Sequence, residues 1–490
     1  MQQTFFVIGQ IKAYNIWPDG NNIYMDTFDK KQKATVSVAV ITSFITTFTG
    51  SALNLSIPDL NQEFAVSAAA IGWIVTGYML TLAVLTVPFG RIADLTSRKK
   101  VLETGIFVFM VCAALAAFSQ RLWILLTLRI LQGAGAAMIF STNHAILVTA
   151  FPQSKRGRVL GYALASTYVG LAAGPVIGGV INYYVGWRFI FAFIAAVSLV
   201  SWVFAWRRLP EQKQNSCEEA ASKKDFDIAG NVIFVLMIFG FMFGLSTFTA
   251  IRYIWLMIIG ALGLGVLFAV HESRIENPVI KIELFRSSRA YLFSNIAAFL
   301  NYGATFAISY ILSIYLQTIM GYTSQTAGLI LIVQPLIMAV LSPYMGRLSD
   351  RISPFRLAAL GMGLCTAGLL MLVFAGEGSG LWYIVAVLAV TGLGFAIFSS
   401  PNTNAVMSLV KKEDYGVATS ILATMRSMGH TTSMAVITLV VGIYMGNSSL
   451  ADAEPEMLVN TIHTLFIIFT LLCATGAIFS LISAKPHRSI

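Results

Sequence analysis

The sequence predicts an all-α polytopic membrane protein: two six-helix bundles with a further pair of helices inserted between them, fourteen transmembrane helices in all. Three observations carry this. Of the 490 residues, 57% are hydrophobic and only 11% charged, and the mean hydropathy is +0.77, values that soluble domains do not reach. Fourteen segments approach the roughly 20 apolar residues that a spanning helix needs. A charged turn, Gly90-Arg-Ile-Ala-Asp94-Leu-Thr-Ser-Arg98-Lys-Lys100, also recurs as Gly346-Arg-Leu-Ser-Asp350-Arg-Ile-Ser-Pro-Phe-Arg356, each copy between two long apolar segments. Duplicated halves would carry such a turn at equivalent places.

Taken in order, residues 1–33 read as a cytoplasmic segment without regular structure. They lack the uninterrupted apolar core of a signal peptide, and Met25, opening the charged run before the first span, reads as the start of translation. Six spans follow at 34–57, 70–89, 101–119, 122–145, 160–181 and 188–206, composing an N-terminal bundle over 34–208. A linker over 209–289 contains two polar stretches that bracket the inserted spans at 229–248 and 253–271. The C-terminal bundle, 290–484, holds spans at 291–316, 325–345, 356–375, 381–400, 416–443 and 461–483, and residues 485–490 are a cytoplasmic tail. An even number of spans puts both termini on one side.

Charge decides which side. Of the 32 lysines and arginines, Arg121, Arg188 and Arg252 fall in loops across the membrane from the N-terminus, and Arg129 and Arg426 lie inside spans; the rest share the N-terminal side. That bias makes it the cytoplasmic face of a cell membrane. The net charge of +10 is then a topology signal and a fit to anionic lipid, and its scatter over many short segments excludes a nucleic-acid partner. Cys112, Cys365 and Cys473 sit in apolar spans and Cys217 stands alone in a loop, so neither a disulfide nor a metal framework is legible.

Four patterns carry candidate function. In the repeated turn, Gly90 lets span two end tightly, and Asp94 and Arg98 supply opposite charges at the membrane edge, as Gly346 and Asp350 do in the second copy. Such charges can pair in one state and part in another, which makes a conformational latch; the plainer alternative is that the basic residues only set topology. In span five, Gly170, Gly174 and Gly178 recur every fourth residue beside Pro175 and Gly179, a face that admits another backbone. In span four, Arg129, Gly133, Ala136, Phe140 and Asn143 or His144 form one stripe, with Gln132 beside it. A charge at bilayer depth costs roughly 2.5–3.5 kcal/mol, so Arg129 should face the bundle interior, as a cavity group or as a clamp on backbone carbonyls. Span thirteen repeats the theme with Thr419, Ala423, Arg426 and His430, a coupling pair or a satisfied packing pair.

With Arg129-Ile-Leu-Gln-Gly-Ala-Gly135, Gly170-Leu-Ala-Ala-Gly-Pro-Val-Ile-Gly-Gly179, Gly186-Trp-Arg188 and Asn277-Pro-Val-Ile-Lys-Ile-Glu-Leu-Phe285 in this order, the chain resembles the major facilitator superfamily and, within it, the fourteen-helix drug:proton antiporters involved in multidrug efflux. The resemblance implies the major facilitator fold, a span-five motif associated with export and a role in proton coupling for Arg129. The chain departs from that group in span one. Aligning Asn54-Leu-Ser-Ile-Pro58 puts Thr49 where those antiporters carry an aspartate, within a stripe Thr42, Thr46, Thr49 that either meets a ligand or bonds back to its own helix. Neither choice carries a proton.

The expectation is therefore a secondary transporter, not an enzyme, that exports small amphiphilic compounds by alternating access. It would act as a monomer in lipid, on a small-molecule substrate, with no cofactor or metal and with the proton gradient as its energy source. His144, His430 or Glu103 would carry the proton. Thr49, Asn54, Asn301, Gln317 and Gln334 are the further candidates for substrate contact, each of which can also simply join helices. An uncoupled facilitator or uptake system for a neutral or anionic compound is the rival reading. A sensor or membrane enzyme lacks both a soluble domain and a cluster of catalytic groups.

Overall fold

The computed structural model describes residues 28–483 apart from 152, 210–226, 249–250, 252, 276–284, 287, 350, 377–378, 411–414 and 446–454. Asp350, the N-terminal segment with Met25 and the 485–490 tail lie outside the described residues, as do the side chains of Asp94, His144 and Thr419. Fourteen long helices account for the fold: α1 (Lys30–Phe64, tightening through a 3-10 turn at Leu53–Ser56), α2 (Ala68–Leu95), α3 (Arg98–Ala116), α4 (Leu122–Ala150), α5 (Gln153–Val185), α6 (Arg188–Arg208), α7 (Ile228–Ser246), α8 (Ile254–Glu272), α9 (Arg289–Ile314, prolonged by a π turn at Tyr315–Ile319), α10 (Ser324–Ser349), α11 (Pro354–Val373), α12 (Leu381–Ser408), α13 (Tyr415–Met445) and α14 (Pro455–Ser483). Among the described residues, thirteen of these helices are long and apolar enough to cross a membrane. The other, α3, is 19 residues long and carries Arg98, Lys99, Lys100 and Glu103 in its first two turns.

The packing repeats itself. Within α1–α6 the main pairings are α1 with α4, α5 and α6, α2 with α4, and α3 with α4 and α6; each recurs eight helices later, as α9 with α12, α13 and α14, α10 with α12, and α11 with α12 and α14. Two main seams join the sets, α2 against α13 and α5 against α10, and these too exchange under the same correspondence, with a smaller contact of the Leu53–Ser56 turn of α1 on α9. The inserted pair lies outside this scheme. Phe234, Ile238 and Met242 of α7 pack into a cluster with Leu80 and Val84 of α2 and Ala435 of α13, while α8 leans on α7 and turns Trp255, Leu256, Ile259, Leu262 and Val266 outward. An apolar outer face is what lipid requires.

Helix ends follow from local chemistry. Asp29 caps α1 in a reciprocal box with Gln32, and Ser97 and Ser288 accept N–H bonds at the starts of α3 and α9, satisfying donors that no helix can satisfy itself. Gly186 has φ +89° and its N–H bonds to the carbonyls of Ile181 and Asn182 at 3.1 Å. That left-handed conformation, open to glycine at no steric cost, turns the chain sharply from α5 into α6. Asp227 caps α7, accepting from Gly230 N–H at 2.8 Å with His271 Nε2 at 3.0 and 3.1 Å from its two oxygens. Burial pushes this carboxyl up, but the Gly230 and His271 bonds outweigh it and hold it below the usual range. These bonds staple the foot of α7 to that of α8.

One expectation is corrected here. Gly90 does not end the second helix: α2 continues to Leu95, and Gly346 likewise lies inside α10. Nothing between Gly90 and Leu95 opposes helix, and the true stop is Thr96, whose hydroxyl donates to the Ile92 carbonyl at 2.7 Å. A Cβ at Gly90 would meet only Ser141 at 3.5 Å, and one at Gly346 only Ser400 at 3.5 Å, so each glycine marks a helix crossing rather than a terminus.

Candidate functional site

The two sets of helices meet along a layer that can be followed bond by bond. The face on which α1 begins and α14 ends, rich in lysine and arginine, is called the basic face below. Asn54 Nδ2 reaches Ser309 Oγ at 3.5 Å, and Ser313 Oγ donates to the Asn54 carbonyl at 2.6 Å. Thr76 and Thr438 hydroxyls lie 3.1 Å apart, Thr431 donates to the Met79 carbonyl at 3.0 Å, and Ser324 donates to the Gly179 carbonyl at 3.3 Å. Each of these bridges lies at mid-height or in the half nearer the opposite face. A vestibule of about 380 Å³ sits on that far side, lined by Asp59, Asn182, Trp187, Gln317, Tyr322 and Ser324 among others.

The glycine run of span five explains how close the layer can come. A Cβ at Gly170 would fall 2.5 Å from the Phe44 carbonyl, one at Gly178 2.8 Å from the Ala52 Cβ, and one at Gly174 would overlap Ser51. These three therefore seat α5 against α1. Gly179 turns the other way: a Cβ there would lie 2.5 Å from the Ser324 carbonyl oxygen of α10, and one at Gly328 would overlap the Pro175 carbonyl. The motif serves both a seam within the first bundle and a seam between bundles.

Between mid-height and the basic face lies a cavity of about 280 Å³ between α10 and α12, lined by Gly346, Ser349, Ser399, Ser400, Thr403 and Asn404. Ser399 is its inner end and a junction: its hydroxyl is 3.0 Å from that of Tyr168 on α5 and 2.8 Å from that of Tyr302 on α9. Thr403, one turn along, accepts from Arg426 Nη2 at 2.5 Å. The Arg426 guanidinium stands 5.1 Å from the centroid of Tyr302, and His430, one turn on, stacks on Phe306 at 4.5 Å with Tyr302 at 5.4 Å. Arg426 and His430 are thus brought together with Tyr168, Tyr302, Ser399 and Thr403. Sequence reading had missed those four. The one signal available was the run Ser399-Ser-Pro-Asn-Thr-Asn404 in an otherwise apolar helix, which hydropathy places at the end of span twelve and the structure places inside α12.

The other predicted residues lie elsewhere. Arg129, 1% exposed, sits toward the opposite face: Nε donates to the Ile74 carbonyl at 3.1 Å, Nη1 donates to Gln132 Oε1 at 2.7 Å, and the guanidinium covers the Tyr78 ring at 4.1 Å. It fastens α4 to α2. Asn143 donates to the Ala39 carbonyl at 3.1 Å and to Ser43 Oγ at 2.8 Å, fastening α4 to α1. Thr42, Thr46 and Thr49 donate to the carbonyls of Val38, Thr42 and Ile45 at 2.7–2.8 Å. Asn301 is buried between bundle helices with its Nδ2 3.1 Å from Met362 Sδ, Gln317 bonds back to Ser313 beside the vestibule, and Gln334 is 7% exposed where α10 crosses Gly392 of α12. Beside the first copy of the repeated turn, Lys99 and Glu103 pair at 3.7 Å. The Gly186-Trp-Arg188 motif has a clear structural use: Trp187 Nε1 donates to Glu63 at 2.7 Å, and Arg188 grips both Glu63 oxygens, at 2.9 and 2.5 Å, while also donating to the Ser119 carbonyl at 3.1 Å.

The profile of the Major Facilitator Superfamily matches residues 39–271 and 295–489. Among curated proteins, the riboflavin transporter RibZ of Clostridioides difficile is 29% identical over 406 residues, covering 83% of this chain and 87% of that protein. The multidrug resistance protein Stp of Mycobacterium tuberculosis is 28% identical over 411 residues, covering 83% of this chain and 74% of that protein. Of solved structures, a bacterial homologue of the human lysosomal transporter Spinster, inward-facing and unoccupied, shares the fold with a TM-score of 0.67 over 92% of this chain and 97% of its own, at 11% identity. A multi-pass helical body whose bundles repeat one packing scheme, and which matches that family along nearly all its helices, belongs to the Major Facilitator Superfamily: the protein is a membrane transporter and not an enzyme.

Proposed function

We propose that the protein exports small amphiphilic compounds across the cell membrane by alternating access, as a monomer, drawing on the proton gradient and on no metal or organic cofactor. One observation carries the reading: apart from the Tyr168–Ser399 contact at the cavity's inner end, bundle-to-bundle bonds lie at mid-height and toward the opposite face, while the Ser399–Thr403 cavity lies toward the basic face. If excess lysine and arginine mark the cytoplasmic side, this is an inward-open state with both termini inside. Two bundles hinged over one pocket expose it to alternate faces by rocking. The names of relatives, one a riboflavin transporter and others multidrug resistance proteins, support planar or amphiphilic cargo. The vesicle test is uptake of riboflavin and of ethidium into everted membranes, with and without an imposed pH gradient. Loss of uptake when the gradient is collapsed supports coupled export.

A second reading has its own observation. The Thr49 hydroxyl, standing where related antiporters carry an acid, is bonded to the Ile45 carbonyl at 2.7 Å, so span one offers no proton carrier there and coupling would fall to His144, His430 or Glu103. An uncoupled facilitator needs no carrier at all. Counterflow of riboflavin that is indifferent to the pH gradient selects the facilitator.

A further inference from the structure

The two intramembrane arginines differ in how far they are enclosed. In Arg129, 1% exposed, Nε and Nη1 are engaged by Ile74 and Gln132 and the plane is covered by Tyr78, inside the first bundle, which leaves Nη2 without a partner among the described residues. Arg426 is only partly buried and shares its hydroxyl acceptor, Thr403, with the wall of the 280 Å³ cavity. Its Nε is enclosed without a hydrogen-bond partner among the described residues. Among the described residues Arg426 has no ion pair: Glu63 is clasped by Arg188 at the far edge, Glu103 pairs with Lys99 at the basic edge, and Asp227 is bonded to His271 at the foot of α7. A guanidinium offered one neutral oxygen is under-neutralised, and a carboxylate would give it shorter, charge-assisted bonds in place of Thr403. Beside it runs a set of rings. Phe395 meets Tyr302 edge-on at 5.0 Å, and the set continues through His430 to Phe306.

We propose that this cleft is an oxyanion subsite, in which Arg426 binds the carboxylate of a planar aromatic substrate while Tyr302, His430 and Phe306 take its ring. The assignment rests on the transport reading above and narrows its cargo from amphiphiles at large to aromatic organic anions. A cation of the same shape would meet like charge with no acid paired to Arg426 among the described residues to offset it, and a neutral amide would forgo the charge-assisted bond. The adjoining cavity between α10 and α12, which shares Thr403 with this cleft, measures about 280 Å³, just under the roughly 300 Å³ at which drug-sized sites begin, so it admits a compact ring system and little more.

The test uses the full chain, purified, with three probes of matched shape: 2-naphthoate, 2-naphthamide and 2-naphthylmethylammonium. Equilibrium binding to the unaltered protein is expected in the order anion, amide, cation. Arg426→Gln should weaken naphthoate by roughly 10- to 100-fold, the loss of a charge-assisted bond, and leave naphthamide within about threefold. Arg426→Lys, which keeps the charge without the planar fork, should fall between. Equal weakening of all three probes by Arg426→Gln, no binding of naphthoate, or a preference for the cation would overturn the assignment. Proteoliposome uptake separates the two claims. Anion-selective binding without uptake of any probe leaves the subsite standing and removes the transport reading; uptake of all three with no anion preference does the reverse.

Discussion

Gly179→Ala should tip the protein toward the state open to the opposite face. The added Cβ would stand 2.5 Å from the Ser324 carbonyl oxygen and 3.1 Å from Leu55 Cδ1. The leucine tip can move, but the carbonyl belongs to the first turn of α10, so α5 and α10 must part by about 0.9 Å to reach an ordinary 3.4 Å contact. Forcing a methyl into a closed seam costs about 1–3 kcal/mol, which changes the ratio of closed to open by roughly 5- to 150-fold. Alanine is itself the better helix former by up to about 1 kcal/mol, so a destabilised seam cannot be blamed on a weakened α5. Pulsed electron resonance between spin labels at exposed Gln120 and Gly380, and in a second sample at Thr96 and Ile352, reads the two faces separately. The first distance should lengthen and the second shorten. Unchanged distances in a folded variant, or lengthening at both faces, would refute the reasoning.

Three further outcomes follow from the geometry. Ser399→Ala removes the hydroxyl shared by Tyr168 and Tyr302 and should lower thermal stability in detergent by the equivalent of about 1–3 kcal/mol; an unchanged melting temperature would mean that the hydroxyls find other partners. Arg129→Gln strips α4 of its bond to the Ile74 carbonyl and of its cover over Tyr78, and should sharply reduce the yield of folded protein rather than alter ligand preference, so a stable variant with altered selectivity would relocate the binding site. Asp227, its carboxyl held below the ordinary range, stabilises the α7–α8 staple at every pH above the unfolded value of about 4. Protonation through its lower folded value removes that contribution, so protection of the amides at the start of α7, taken relative to the intrinsic exchange rate at each pH, should fall below about pH 4, and Asp227→Ala should show low protection at neutral pH without that dependence.

Helix number and the repeat were readable because the bilayer imposes them: a span must be long and apolar, and a charged turn between apolar segments stands out against it. The glycine spacing in span five was readable for the same reason, since backbone approach leaves a periodic mark. What periodicity cannot show is which face of a helix meets which neighbour. Arg129 and Arg426 look alike in the chain, each a lone cation in an apolar helix, yet one is clamped to α2 and the other borders a cavity. Tyr168 resembles any core tyrosine until Ser399 is placed opposite it from the far end of the sequence. Hydropathy also cut α12 short at residue 400, because Asn402, Thr403 and Asn404 are polar; they belong to the helix, and Thr403 and Asn404 line the cavity. Thr49 was the reverse case, a residue singled out by its position whose hydroxyl turns back to its own helix.

The most direct test of rocking bundles is to lock them. Asn54 on α1 and Ser309 on α9 touch across the seam at 3.5 Å, so paired cysteines there, in a background where Cys112, Cys365 and Cys473 are buried, can be joined by mild oxidation. With Cys217 also replaced by serine, rocking about the seam predicts that oxidation stops 2-naphthoate uptake into proteoliposomes, that reduction restores it, and that binding from the basic face persists throughout. A fully cross-linked protein that still carries naphthoate at the reduced protein's rate would contradict it.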